Sequence, residues 1–471
     1  MTRRDGDGDI RANGDGAAHC EPPAEPRSGA HGAARSGQRG AAGGNGRTDA
    51  PYEAASHGSG PQAAAHGDER RPGQRGGGGR SGGPAAGGAA GFPESVLRPV
   101  VDPLAAVRSP GDPACDVYLT GPIFLDIIFT GLDSAPVRGT ESWARGMGSS
   151  PGGVANMATA LARLGLRTSL AAAFGDDMYG DYCRDALDRG EGIDLSLSRT
   201  VPGWHSPVTV SMAYEGERTM VSHGHEAPPT QAASPVEGAF DGEPAPECPP
   251  PARACVASLV PGTREEWIRH AARRGSRVFA DVGWDDTGRW DPADLADLEH
   301  CEAFLPNAAE AMRYTRTECP RAAAWALTDK VPLAVVTLGS EGAYAVDGRT
   351  GESAEVPAIA VEALDPTGAG DVFVAGFITG TLAGWPLADR LAFAGLTAAL
   401  SVQEFGGSLS APGWVEIAAW WQHVRAFDDQ SLVAGHGSAL RRYAFLDGLL
   451  PSAQRPWPLR RAVPTIGFRQ P

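Results

Sequence analysis

Between residues 115 and 425, short apolar runs alternate with segments of helical period, and nothing else in the chain restricts its fold as much. CDVYLTG (115–121) and FLDIIFTG (124–131) read as strands. GGVANMATALARLGL (152–166) carries apolar residues at helical spacing and stops at Gly165. TSLAAAFG (168–175) is the next strand and DMYGDYCRDALDRG (177–190) the next helix. After an interruption the rhythm resumes with a strand over 253–260, a helix over 263–275 and a strand over 277–283. Strands over 302–307, 332–339 and 342–348 follow, then helices near 369–383, 387–402 and 412–425. Strands separated by helix-length segments join in parallel, because the return path needs a dozen or so residues and a helix fills it. The expected fold class is α/β, a mostly parallel sheet covered by helices.

The interruption is itself informative. PVTVSMAYEGERTMVSH (207–223) alternates as two strands around EGER and predicts a hairpin, a candidate lid on an α/β body. APPTQAASPVEGAFDGEPAPECPPP (227–251) is rich in Pro and in acidic or small residues and reads as a flexible surface insertion. Residues 1–95 hold 24 of the 63 Gly and only two aromatics, Tyr52 and Phe92, too little apolar surface to offset the entropy of ordering them. The predicted organisation is a disordered Gly/Ala/Arg/Pro-rich leader over 1–112, a folded domain over 113–427 and a C-terminal extension over 428–471. Within the extension, LRRYAFLDGLL could dock as a helix.

Charge and cysteine content exclude several classes. The leader's charges cancel, so the net charge of -16 falls on the rest of the chain. An acidic body argues against nucleic acid or an anionic membrane surface as partner. No run reaches the roughly 18 apolar residues of a membrane span, and the N-terminus lacks the apolar core of a secretory signal. Seven Cys without a C-x-x-C pair suit reduced thiols in the cytoplasm.

DPTGAGD (365–371) sits between a predicted strand and a predicted helix. Gly and Ala at 368–370 leave backbone N–H groups uncovered at a helix start, where they lack internal acceptors and the helix dipole is positive. Such a corner binds phosphate or a developing negative charge. An Asp beside it can take the proton of an incoming hydroxyl, which is general-base help for phosphoryl transfer. Read alone, the same residues are an Asp entering a helix after a Gly turn, and both readings stay open on this stretch.

Two long stretches together carry a resemblance. DPTGAGDVFVAGF (365–377) is similar to the C-terminal signature of the PfkB, or ribokinase-like, carbohydrate kinases, and GGVANMATALARLGLRTSLAAAFGDDMYG (152–180) is similar to the N-terminal one. The likeness covers roughly 114–425. It implies a ribokinase-like three-layer sandwich with a small β lid, and transfer of the γ-phosphoryl group of ATP to a hydroxyl of a sugar or sugar-like molecule, with Mg²⁺. Asp371 then matches the catalytic base, and Gly368, Ala369 and Gly370 match the anion hole. Asp126, Gly152, Gly153 and Asn156 match substrate-binding positions. Asn307 and Glu310 in PNAAE match the N-x-x-E that organises Mg²⁺ through water, although the pattern alone is also a helix capping box. Thr337, Gly339 and Gly342 match the ATP site, and the two Gly suit a plain hairpin equally. Asp365 and Thr367 fall where relatives bind a monovalent cation such as K⁺. The lid is the candidate homodimer contact.

The chain also departs from the family pattern. Relatives read G-G-x-x-x-N, and here Gly152 to Asn156 is one residue shorter, so either Asn156 is displaced or Pro151-Gly152 takes the diglycine place. Phe124 stands where ribokinase-type chains have Asn, and the loop Lys of several sugar kinases is missing. A P-loop kinase needs G-x-x-x-x-G-K-[ST], and Lys330, the sole Lys, follows no Gly-rich loop. GMGSSPGG (146–153) does not fit the spacing of a dinucleotide-binding G-x-G-x-x-G. The alternatives are a nucleoside kinase of the same family and a non-catalytic sugar sensor on the same fold. The sensor predicts a damaged Asp or anion hole.

Overall fold

The computed structural model describes residues 101–214, 217–225, 249–283, 285, 287–428 and 436–450. The leader up to residue 100 and all but the last residues of the 227–251 insertion lie outside them.

Eight strands form the central sheet. Their order is β14 (Glu352–Val356), β13 (Ala343–Asp347), β12 (Leu333–Thr337), β11 (Ala303–Phe304), β10 (Arg277–Val282), β9 (Ala252–Leu259), β1 (Cys115–Thr120) and β4 (Thr168–Ala171). From β4 to β12 every pair is parallel, and β13 and β14 add an antiparallel edge. Alternate strand residues feed two cores. Val117, Leu119, Val256, Phe279 and Val335 share one cluster with residues of α1 (Val154–Arg163), α6 (Ala369–Leu382), α7 (Leu387–Ser401) and α8 (Trp414–Asp428). Tyr118, Cys255, Val278, Phe304 and Val336 face α3 (Glu266–Arg273), α4 (Ala308–Thr315) and α5 (Pro320–Leu327). A sheet apolar on both faces must be covered on both, and the result is the expected three-layer sandwich. Helix α6 is buried from Val372 to Thr381, as suits a helix apolar all round.

A second sheet of four strands has the order β3 (Gly146–Gly153), β2 (Ile123–Thr130), β7 (Val208–Tyr214), β8 (Glu217–His223). The β7–β8 hairpin is the one expected over 207–223. Strand β3 is a correction, because GMGSSPGG has no strand propensity of its own and the helix was read from residue 152. Pairing with β2 over eight positions makes it a strand, and α1 starts only at Val154. The strand read over 168–175 is two, broken at Ala172. Beyond it β5 (Ala173–Gly175) leaves the main sheet and pairs with β6 (Arg199–Val201). The helix read over 177–190 is α2 (Met178–Asp185) ending in a π-turn over 186–190.

Both domain edges move outward. Val101 and Leu104 are buried in the main core, and Arg108 pairs with the fully buried Asp116, so the leader expected over 1–112 is packed from residue 101. At the other end α9 (His436–Tyr443) and the turn after it dock on the body. Tyr443 and Leu446 join the same core, and Trp421 Nε1 donates to Asp447 Oδ1 at 2.8 Å.

Candidate active site

The C-terminal ends of the parallel strands meet the start of α6, the edge where open α/β sheets bind ligands. Gly368 caps α6 at φ 76°, ψ 0°. A Cβ there would be strained, and it would stand 3.1 Å from Gly407 Cα. The Ala369 N–H donates to Pro366 O at 3.3 Å and tightens the turn. The first-turn N–H groups that follow point out of the helix start. Asp371 sits in this turn. Asp365 is buried and organises the approach: Oδ1 accepts from the Thr367 N–H (2.9 Å) and Oδ2 from the Gly406 N–H (3.2 Å).

The small sheet brings the other expected residues to this corner. Asp126 is buried on β2, two register positions from Gly152 on β3. The Asp126 carboxylate occupies the space a Cβ at 152 would take. Gly153, at φ 64° and ψ -136°, has a conformation essentially closed to other residues, and a Cβ would stand 2.9 Å from the Phe124 ring. Phe124 thus packs on the loop itself. Asn156 lies in the first turn of α1, and its Nδ2 donates to Asp371 Oδ2 at 3.1 Å. The shortened loop therefore still delivers Asn156 to this corner, against Asp371.

Asn307 and Glu310 form the capping box of α4: the Asn307 N–H donates to Glu310 Oε2 (2.9 Å) and the Glu310 N–H to Asn307 Oδ1 (3.0 Å). The helix-start geometry is thus present, and it leaves both side chains at the sheet edge. Asn307 bridges to Thr337 at the end of β12, where the Thr337 N–H donates to Pro306 O at 3.2 Å. Gly339 (φ 59°) and Gly342 (φ 115°) make the tight turn into β13. A Cβ at 342 would collide with Val356 O, so the hairpin role of Gly342 is realised.

Asp281, near the end of β10, did not stand out in the sequence. Burial and the Asp371 carboxylate push its own carboxyl up to about 8, with Glu310 adding to the effect. Burial also raises Glu310, against the hydrogen bonds from Asn307. The excess negative charge beside Glu310 is what a divalent cation would offset, and with no cluster of three His, Cys, Asp or Glu side chains among the described residues such an ion would be held largely through water. The available signal was an acid at the C-terminal end of an apolar, buried strand. Gly406 and Gly407 were also missed, in a loop with no periodicity.

A model of the pfkB family carbohydrate kinases matches residues 126–414, more than half of the chain. The chain belongs to this family. It is 29% identical over 302 residues to the bifunctional protein HldE of Magnetococcus marinus, covering 58% of this chain and 60% of that protein. It is 29% identical over 247 residues to the cytidine kinase of Thermococcus kodakarensis, covering 51% of this chain and 83% of that one. The structure of Arabidopsis thaliana ribokinase complexed with ribose and ATP superposes with a TM-score of 0.51 at 23% identity, over 65% of this chain and 98% of that one. That likeness shows the ribokinase fold.

Proposed function

We propose that this protein transfers the γ-phosphoryl group of ATP to a hydroxyl of a sugar or nucleoside. The observation that carries this reading is the corner at 365–371: a left-handed Gly368, outward amides and Asp371 in the first turn of one buried helix. Asp371 takes the proton of the acceptor hydroxyl while its oxygen forms the new bond to phosphorus. The bond from phosphorus to the β,γ-bridging oxygen breaks, and ADP leaves. Of the anion-hole positions Gly368, Ala369 and Gly370, the Gly368 and Gly370 amides hold the charge on the moving group, because the Ala369 N–H is turned to Pro366 O. Asp126 binds acceptor hydroxyls, and Gly152 and Gly153 let backbone approach them. Mg²⁺, when bound, supplies neutralising charge on the phosphates. Asn307 and Glu310 would hold it through water, and Asp281 lies beside them. Thr337, Gly339 and Gly342 border the nucleotide. The cytidine kinase among the relatives is what keeps nucleosides beside sugars as acceptors.

Three finer points belong to the same reading. Asp365 and Thr367 would support a monovalent cation, tested by turnover in KCl against tetramethylammonium chloride. The small sheet closes over the acceptor and carries the homodimer contact, with Met220 and Val221 exposed on β8; light scattering measures the mass. A cytoplasmic location suits Cys115, Cys183, Cys255, Cys301 and Cys319, which stand as thiols. Among the described residues no helix is long and apolar enough to cross a membrane.

The test of the whole is ADP release with MgATP and ribose, fructose, 2-keto-3-deoxygluconate, adenosine, pseudouridine or cytidine. Turnover is expected with at least one. Asp371→Asn should bind ATP normally and lose about 10²- to 10⁴-fold in kcat. Wild-type kcat in that variant would remove Asp371 from the base role.

A further inference from the structure

Asn156 and Asp371 are 215 positions apart, yet their side chains share a hydrogen bond of 3.1 Å. An ionised carboxylate only accepts, so the amide must turn its NH₂ toward Asp371 and its carbonyl away. That carbonyl, Asn156 Oδ1, is buried with no hydrogen-bond partner. Flipping the amide would aim the carbonyl at the carboxylate, which is worse. Asn156 as a whole is 6% exposed, so the amide has little room to move. Gly407 closes the far side: a Cβ there would stand 2.6 Å from Asn156 Oδ1. The same glycine lies against Gly368, the cap of α6. One loop residue therefore backs both the helix start and the amide that reaches the acid.

We propose that Asn156 is a positioning residue for the base, and that Gly407 is a glycine because a side chain there would push the amide out of place. This rests on the reading of Asp371 as base. The Asn156 donor favours the charged form of Asp371 and fixes the rotation of its carboxylate. The acid facing Asp371 is Asp281 on β10, itself next to Glu310 on α4, and of the pair Asp281 is the one whose carboxyl is pushed up. Asp365, on the turn into α6, is engaged by the N–H groups of Thr367 and Gly406. Without the donor, Asp371 holds its proton to higher pH, and a protonated base cannot act. The acid limb of turnover then moves up in pH.

The test is a titration that needs no acceptor. Protein carrying ¹³C at its aspartate carboxyls is compared with Asp371→Asn, and the resonance missing from that variant belongs to Asp371. In Asn156→Ala its midpoint should lie about one pH unit higher, the size expected for a lost hydrogen bond to a charged group. Asn156→Asp should raise it further by like charge. Gly407→Ala should move it in the same direction as Asn156→Ala, and the double variant no further than Asn156→Ala alone. Asn156→Ser replaces Asn156→Ala if the latter does not fold. An unmoved midpoint in folded Asn156 and Gly407 variants overturns the proposal and leaves the base assignment standing. Wild-type turnover in Asp371→Asn would instead overturn the base assignment.

Discussion

The carboxylate of Asp126 fills the space where a side chain at position 152 would begin. The two residues lie on adjacent antiparallel strands, Phe124 opposite Gly152 and Asp126 opposite Ser150. Any substituent at 152 must push the Asp126 carboxylate aside. Gly152→Ala should raise KM for the acceptor about ten- to a hundredfold, the cost of one or two misplaced hydrogen bonds to a charged group. ATP affinity should stay unchanged. Steady-state kinetics with both substrates varied decides it, and an unchanged acceptor KM would take Asp126 out of the acceptor site.

Asp281 couples the site to stability. Its carboxyl titrates near 8 in the folded protein because of burial and Asp371, against an ordinary value of 3.8. A folded value raised in this way gives stability that is fully present below about 4 and is lost as pH rises through about 8. Asn at 281 does not titrate. The Tm of Asp281→Asn should therefore match wild type near pH 4 and exceed it by a growing margin up to pH 8 or 9, in buffer without Mg²⁺. A constant difference across this range would mean that Asp281 ionises normally.

Gly376 lets α6 and α7 touch. A Cβ there would stand 2.5 Å from Thr397 Oγ1 and 2.9 Å from Ala394 Cα. Gly376→Ala gains about 1 kcal/mol of helix propensity but overpacks a rigid helix pair, at a cost of about 1–3 kcal/mol. Gly376→Val, which cannot be accommodated, should lower the urea midpoint clearly. KM values should hold for the folded fraction.

The N-terminal edge can be found by truncation. Removing residues 1–95 should leave Tm and turnover unchanged. Removing residues 1–112 also strips Val101, Leu104 and the Arg108 partner of Asp116. Each buried apolar side chain is worth about 1.5–3 kcal/mol, so this second truncation should lower Tm by several degrees. Equal melting of the two truncated proteins would show that residues 101–112 do not contribute.

Much of the sandwich was legible because its signals are local. Apolar strands such as LAVV at 333–336 and the run from Val372 to Thr381 are buried on all sides and read so in one dimension. The Gly turn into α6 was legible for the same reason, since Gly368 to Asp371 are contiguous and a helix start exposes its own amides. Strand β3 was not legible. With its glycines and a proline it gains strand character only from its partner β2. Nor was the role of Asp281, an ordinary strand-end acid until Asp371 and Glu310 are placed beside it.

By itself the sequence determined the α/β class, the hairpin at 207–223 and the Gly turn that opens a helix at 365–371, because periodicity and turn chemistry act over a few residues. The tertiary structure alone decided what surrounds Asp371. Asn156, Asp281 and Gly407 come from separate elements, and no local pattern records that they meet. Their roles arise from close packing, which brings the Asn156 amide to Asp371 and leaves no room at 407 for more than a hydrogen.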